Sequence, residues 1–236
     1  MKRLYLVQCN NRFGDNVYPP YSVGLLYSYA KTFPEIASAY EMCGFLYLKE
    51  PIRDAVARLH EPDLVAVALY IWSERWSREF ILAVKRKWPA CKVLVGGVSV
   101  WDESPRTLAE NPEYDFAIYG EGEGAFVDFF REHVKDVPDY ASCGSLVWRD
   151  EEGIKINKRI AFTDLKLLPS PYLDGSFDSI LGKEGRIQAL FETHRGCPTR
   201  APFVSGVKLH SQRCDLSLLK KSMPRLNGSE RISVHT

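Results

Sequence analysis

A regular alternation of short apolar runs with amphipathic segments is the feature that most constrains the fold. Residues 64–70 form an unbroken apolar run, as expected of a strand that is covered on both faces. An amphipathic stretch follows at residues 76–88, and the next apolar run begins at Lys92. Parallel neighbours need crossover connections, and helices of this length supply them on both faces of a sheet. The sequence therefore predicts an α/β fold with a doubly wound parallel sheet.

The same alternation extends through the first 133 residues and ends in a different pattern. We predict strands at residues 4–7, 64–70, 92–95 and 116–119, a further strand within residues 35–48, and helices at 22–32, 51–59, 76–88, 105–110 and 123–133. Residues 9–18 are predicted to be a polar loop. Residues 145–148 and 154–156 flank an acidic turn, which predicts a β-hairpin, and residues 165–175 read as an extended linker that contains proline.

Composition limits the classes of partner and location. A hydrophobic content of 45% is ample for a core, and a net charge of +1 gives no electrostatic reason to expect nucleic acid or an anionic membrane as a partner. The apolar stretch after Lys2 and Arg3 is too short for a signal peptide, and no run approaches the ~18 residues of a membrane span. We expect a cytoplasmic protein. Its six scattered cysteines are expected to be reduced thiols, mostly in the core, and His60 and His133 to lie at helix ends on the surface.

Three segments that leave successive strands carry the candidate binding residues. Ligands of doubly wound sheets bind at the carboxyl ends of the strands, and glycines there let the backbone turn tightly or a bulky ligand approach. A lone Gly-Gly is more often a simple turn, so the prediction depends on the three segments together. The candidate ligand-binding residues are Tyr70, Trp72, Gly96, Gly97, Val98, Ser99, Gly120, Glu121, Gly122 and Glu123.

Residues 191–198 read Phe-Glu-Thr-His-Arg-Gly-Cys-Pro, which resembles the approach to the C-x3-C-x2-C motif of radical SAM enzymes. Ala201 and Val204 stand where the second and third cysteines belong. With Pro-Pro-Tyr-Ser-Val-Gly-Leu-Leu at residues 19–26 and the three glycine-containing strand ends, the order of motifs over residues 1–198 resembles the cobalamin-binding domain that precedes the barrel in cobalamin-dependent radical SAM enzymes.

The resemblance implies a division of residues 1–198 into three parts. Residues 1–140 would be a Rossmann-like cobalamin-binding domain, residues 141–185 a hairpin and linker, and residues 186–198 the first strand and the start of the cluster loop of a radical SAM barrel. Cys197 would be the remnant of the metal-binding motif. The [4Fe–4S] cluster, S-adenosylmethionine and a small-molecule or peptide substrate would belong to the intact form of such an enzyme.

The resemblance also implies roles for the candidate residues. The corrin ring would lie across the strand ends, with its nucleotide tail beside Gly96, Gly97 and Gly120. Tyr70, Trp72 and Trp101 would cover apolar edges of the ligand, although such aromatic residues are as often part of a core. Glu121 and Glu123 would accept hydrogen bonds from corrin amides, or else be solvated carboxylates at a helix start. The loop at residues 9–18 has no histidine, so it would offer cobalt no histidine ligand.

Residues 199–236 differ from the rest of the chain. Among the 12 Phe, 12 Tyr and 5 Trp residues, only Phe203 lies after Pro198. Back-translation with freely chosen synonymous codons, followed by insertion of one T after the proline codon, gives Cys-Pro-Tyr-Ser-Cys-Thr-Phe-Cys-Glu-Trp. We therefore interpret residues 199–236 as a frameshifted, disordered tail, the alternative being an ordinary basic tail, and we expect this form to lack catalysis. Two other interpretations stay open: a stand-alone corrinoid carrier or sensor, and a flavodoxin-like nucleotide-binding regulatory domain.

Overall fold

A computed structural model describes residues 1–181, 186–192, 194–195 and 212–213. The strands are β1 (Lys2–Asn10), β2 (Asn16–Val17), β3 (Tyr40–Leu48), β4 (Leu64–Ala68), β5 (Lys92–Gly96), β6 (Phe116–Ile118), β7 (Leu146–Asp150), β8 (Gly153–Ile156), β9 (Arg186–Ile187), β10 (His194–Arg195) and β11 (Gln212–Arg213). The helices are α1 (Tyr21–Ala30), α2 (Pro34–Ala39), α3 (Ile52–Ala57), α4 (Glu74–Lys87), α5 (Arg106–Ala109) and α6 (Glu123–His133), with short 3-10 turns at Tyr140–Ser142 and Leu165–Leu167.

Seven strands form the main sheet in the order β3-β1-β4-β5-β6-β7-β8. The first five are parallel to one another, while β7 and β8 are antiparallel and extend the sheet at one edge. Counting only the parallel strands, this is the 2-1-3-4-5 order of a doubly wound fold. The predicted parallel sheet and the predicted hairpin are both confirmed.

Helices cover both faces of the sheet, and strand alternation divides the core between them. Ala66 and Ala68 of β4 point to the first face, where they join the cluster built by α1, α2 and α6. Val65 and Val67 point to the second face, which α3, α4 and α5 cover. Every residue of β4 is buried, as an apolar strand between two helical layers requires.

The segment predicted to contain a strand, residues 35–48, also includes most of a helix. Its first part is α2, which begins at Pro34, and only Tyr40–Leu48 is a strand. Proline suits the first turn of a helix because its fixed backbone angle matches the helix and its missing N–H would have no partner there. The strand prediction is therefore correct for β3, and the helix before it was missed.

His133 contradicts the expectation of a surface residue. It is buried at the end of α6, where its ring stacks on Phe129 at 5.1 Å. Its Nδ1 lies 2.6 Å from the hydroxyl oxygen of Tyr140, and burial lowers the pKa of His133 to about 4. A neutral imidazole with a phenol partner fits an apolar core. His60 is exposed, as predicted.

The chain after the hairpin packs back onto the first face. Phe177 is fully buried against α1, where Gly24 leaves room for its ring. Residues 186–193 were predicted as the first barrel strand, yet β9 is only two residues long and pairs with β2. Ile187 and Ala189 are buried in the first-face core. Cys197 and the predicted tail at residues 199–236 lie outside the described residues, apart from the short strand β11.

Two further expectations concern thiols and membranes. Cys9, Cys91 and Cys143 are free and buried, and Cys43 is free and half-buried, so three of the four described thiols lie in the core, as predicted. Burial raises the pKa of each of the three buried thiols to about 12. Among the described helices, none is long and apolar enough to cross a membrane.

Candidate functional site

A cavity of about 230 Å³ lies on the first face of the sheet, at the carboxyl ends of β4, β5 and β6. Its floor is formed by side chains and backbone of the three strands, and α1 and α6 form its walls. Both connections that link β4 to β5 and β5 to β6 run over the second face, so α1, α6 and the later residues Glu192 and Arg195 enclose the space above these strands on the first face. The floor residues are Ala66, Ala68, Leu94, Gly96 and Ile118.

The wall formed by α1 is fixed to the sheet by polar contacts. Gln8 of β1 is buried, and its Oε1 accepts hydrogen bonds from the backbone N–H groups of Ser22 (3.0 Å) and Val23 (3.3 Å). These bonds satisfy donors that a helix start leaves without an intrahelical partner. The Ser22 hydroxyl lies 2.7 Å from the Tyr70 hydroxyl, which connects α1 to the end of β4.

The loop after β5 approaches the end of β4 so closely that it requires glycine. Gly97 has a φ of +99°, and a Cβ added there would lie 2.8 Å from the carbonyl oxygen of Leu69. A larger residue would have to adopt a left-handed backbone conformation, and its Cβ would collide with the backbone of Leu69. Gly122, at the start of α6, is also tight, because an added Cβ would lie 3.2 Å from Leu26. These glycines keep the mouth of the cavity narrow but open.

Charged side chains occupy the rim on the α6 side. Arg195 donates to both carboxylate oxygens of Glu123, with Nη2 at 2.6 Å and Nη1 at 3.0 Å, and Nη2 also lies 2.8 Å from Glu192 Oε2. Glu121 Oε2 is 3.4 Å from Arg195 Nη1, and this buried oxygen has no hydrogen-bond partner among the described residues. Burial raises the pKa of Glu121 above its usual value.

The structure brings together six of the ten predicted binding residues. Tyr70, Gly96, Gly97, Glu121, Gly122 and Glu123 line the cavity. The other four lie near it: Trp72 stacks on Tyr70 at 4.6 Å, Val98 is exposed, the buried Ser99 hydroxyl has no hydrogen-bond partner in the described part of the chain, and Gly120 lies beneath Arg159.

Exposed apolar residues follow two of the strands that form the cavity floor. Ile71 and Trp72 follow β4, while Val98 and Trp101 follow β5, and they are between 50% and 83% exposed. We call these four residues the strand-end ledge. Large apolar side chains grouped on a surface commonly mark a binding site. Trp72 connects this ledge to the cavity, because its ring stacks on that of the lining residue Tyr70.

Several cavity residues were not predicted. Ser22, Ala66, Ala68, Phe126, Glu192 and Arg195 all line it. For the alanines a signal was present, because residues 65–68 read Val-Ala-Val-Ala and so place the small side chains on one face. Arg195 had no such signal, since its partner Glu123 is 72 residues away in sequence.

The fold and the cavity define a doubly wound α/β domain that is built to hold a ligand at its strand ends, and comparison with known proteins agrees. Residues 40–130, which include β4, β5 and β6, match the family described as "B12 binding domain". The cobalamin-dependent radical SAM methyltransferase TokK of Streptomyces tokunonensis is 34% identical over 197 residues, covering 80% of this chain and 29% of the relative.

A second curated relative and a solved structure extend this result. The 2-(S-pantetheinyl)-carbapenam-3-carboxylate methyltransferase of Streptantibioticus cattleyicolor is 31% identical over 232 residues, covering 93% of this chain and 32% of the relative. The apo structure of the cobalamin-dependent S-adenosylmethionine radical enzyme OxsB has the same fold, with a TM-score of 0.70 at 18% identity, covering 96% of this chain and 31% of that one.

Residues 40–130 therefore belong to the B12-binding domain family, and the chain is homologous to part of a cobalamin-dependent radical SAM methyltransferase. The predicted family and its Rossmann-like fold are confirmed. The chain spans about a third of the length of the curated relatives it matches.

Proposed function

We propose that this chain binds cobalamin, with the nucleotide tail in the cavity and the corrin ring over the strand-end ledge. The observation that carries this proposal is the position of the cavity. It opens at the carboxyl ends of three strands that all lie within the segment matching the B12-binding family. This is the edge at which doubly wound sheets bind their ligands.

The residues present fit the two chemically different parts of cobalamin. The apolar floor formed by Ala66, Ala68 and Leu94 suits the flat aromatic base at the end of the nucleotide tail, because such a ring gains most from leaving water. The aromatic and aliphatic side chains of the ledge suit the apolar edges of the corrin ring. The ring of Trp72 in the ledge stacks on that of Tyr70 beside it.

Polar groups at the rim suit the amides and hydroxyls of the ligand. The buried Glu121 oxygen, which forms an ion pair with Arg195 but no hydrogen bond among the described residues, would accept a hydrogen bond from an amide or hydroxyl group of the ligand. Bound cobalamin would supply a cobalt centre able to carry a methyl group. The residues of this chain would bind and orient it, and the loop at residues 9–18 would offer no histidine to cobalt.

The cluster chemistry of a radical SAM enzyme does not fit the residues of this chain. A cluster of this kind is held by cysteine thiolates, and Ala201 and Val204 replace two of the three expected cysteines. Among the described residues, no group of three or more His, Cys, Asp or Glu side chains could hold a metal ion. We therefore propose a cobalamin-binding, catalytically incompetent form of a methyltransferase-like enzyme. Its intact form would act in the cytoplasm on a small molecule or peptide, with neither nucleic acid nor membrane as a partner.

A ligand titration tests the proposed function. Aquacobalamin is added to the purified chain, and binding is followed by equilibrium dialysis and visible absorbance. In parallel, cobinamide, which lacks the nucleotide, tests whether the nucleotide tail contributes to binding. Flavin mononucleotide tests the flavodoxin-like alternative. We expect cobalamin to bind at least tenfold more tightly than cobinamide, because only cobalamin can fill the cavity. Binding of the flavin without binding of cobalamin would overturn the proposal.

Resequencing the gene across the codons for residues 197–204 and beyond tests the frameshift hypothesis separately. We expect one missing base, with a continuous frame that encodes C-x3-C-x2-C once it is restored. A confirmed reading frame, with stop codons in the other two, would refute the frameshift and leave the cobalamin titration unaffected.

A further inference from the structure

Residues 186–192 and Arg195 form a segment, which we call the docking segment, that lies against the cavity and leads to Cys197. Its backbone is fixed at two points, since Gln188 N–H donates to the Val17 carbonyl (2.9 Å) and Leu190 N–H donates to the Tyr172 hydroxyl (3.0 Å). The same segment contributes Glu192 and Arg195 to the lining of the cavity. The binding site and the approach to Cys197 therefore share a wall.

Arg195 makes the charged contacts that join this segment to α6. Within the part of the chain that the structure describes, it is the one cation paired with three carboxylates, those of Glu121, Glu123 and Glu192. Its bidentate pair with Glu123 is largely buried, with 16% and 6% of the two side chains exposed. Such a fork geometry is specific to arginine, and breaking a buried pair leaves an uncompensated charge.

We propose that Arg195 is a positioning residue that docks the segment leading to Cys197 onto the rim of the cavity, and that docking and cobalamin binding stabilise each other. The second half of this proposal depends on the proposed function. Without Arg195, three carboxylates would face a ligand that carries a phosphodiester, and like charges would oppose its entry. With Arg195 docked, the segment completes this wall and one of the three negative charges is balanced.

The proposal can be measured because the coupling between docking and cobalamin binding is reciprocal. If docking favours cobalamin binding, cobalamin must favour docking by the same factor. The amides of Gln188 and Leu190 report docking, because both are hydrogen-bonded only across the segment boundary. Hydrogen–deuterium exchange of peptides within residues 186–192 therefore measures docking in the full chain, with and without aquacobalamin.

Arg195→Gln is the variant, and Arg131→Gln is the matched control. Arg131 also pairs with a carboxylate, Glu35 at 2.7 Å, but this pair is exposed and remote from the cavity. Without ligand, we expect Arg195→Gln to speed exchange of the segment at least tenfold and Arg131→Gln to leave it unchanged. Arg195→Lys should rescue only part of the protection, because an ammonium group cannot form the bidentate pair.

The effect of cobalamin on exchange of the segment is the measurement that a merely structural role of Arg195 would leave unchanged. In the original chain we expect saturating cobalamin to slow exchange of the segment at least fivefold, and in Arg195→Gln we expect this slowing to disappear and cobalamin to bind at least fivefold more weakly. Glu123→Gln should likewise speed exchange of the ligand-free segment, and the exchange of the double variant should be no faster than that of the faster single variant, since both changes disrupt one interaction.

The outcomes separate the two proposals. Unchanged exchange in ligand-free Arg195→Gln would refute the docking role. Cobalamin binding that leaves the segment's exchange unaltered in the original chain would refute the coupling and leave the proposed function standing. A chain that does not bind cobalamin would refute the proposed function, while the ligand-free comparison would still decide the docking role.

Discussion

Replacing Ala68 with leucine should have opposite effects on stability and on cobalamin binding. Ala68 forms part of the cavity floor on the first face, so three additional carbons would enter empty space. Each buried methylene contributes about 0.8 kcal/mol, which sets an upper limit of about 2 kcal/mol on the gain in the free energy of unfolding. The same atoms would compete with the nucleotide tail. Overpacking typically costs about 1–3 kcal/mol, which corresponds to a loss of affinity of about 5- to 150-fold.

Urea denaturation of the ligand-free chain and a titration with aquacobalamin measure the two effects. Ala57→Leu makes the same chemical change at an exposed position on the second-face helix α3, and it should alter neither quantity appreciably. If Ala68→Leu is destabilising, the space above Ala68 is not available in solution. If the variant is stable and binds cobalamin as tightly as the original chain, the ligand does not enter this cavity and the proposed geometry is wrong.

Three further predictions concern stability. Because burial lowers the pKa of His133 from 6.5 to about 4, the unfolded chain binds the proton first. The contribution of neutral His133 to the free energy of unfolding should therefore be fully present above about pH 6.5 and fall by about 3 kcal/mol towards pH 4. His133→Gln should reduce this loss in urea titrations at several pH values. Gly97→Ala should cost at least about 1 kcal/mol more than Gly153→Ala, since both have positive φ but only Gly97 faces a collision; equal costs in thermal unfolding would contradict this. Phe177→Ala should cost about 3–5 kcal/mol, and a loss under 1 kcal/mol would show that the linker does not pack on α1.

The parallel sheet could be predicted because its signals are local. The apolar run at residues 64–70 and its amphipathic flanks determine element type within a window of a few residues. The prediction was incomplete where two elements share a short segment: the strand within residues 35–48 is present, but α2 before it was missed, since six helical residues carry too little periodicity to be recognised. His133 was misplaced for a different reason. The pattern puts it at a helix end, but its burial depends on rings contributed by Phe116 and Tyr140.

The candidate site was predictable only in part, because local sequence patterns identify some of its residues and tertiary contacts bring in the others. Glycines at strand ends follow from the rule that ligands bind there, and Gly96 and Gly97 do line the cavity. The contribution of Arg195 depends on tertiary docking of a segment that the sequence assigns to another domain. Its hydrogen bonds to Glu123 cross 72 residues, and no local pattern encodes such a distance.

The shape of the cavity distinguishes between the ligands that a doubly wound sheet could bind. Ala66, Ala68 and Gly96 are small and point to the same face, and a groove therefore extends from the strand ends down beneath α1 and α6. The flavodoxin-like alternative would require a ligand that rests only on the loops. Such a ligand gains nothing from small residues that lie deeper in the sheet. A ligand with a broad ring and a long tail uses both the strand-end ledge and the groove. The small face of β4 and β5 thus favours cobalamin over a mononucleotide, and this is why Ala68→Leu is the most discriminating single change.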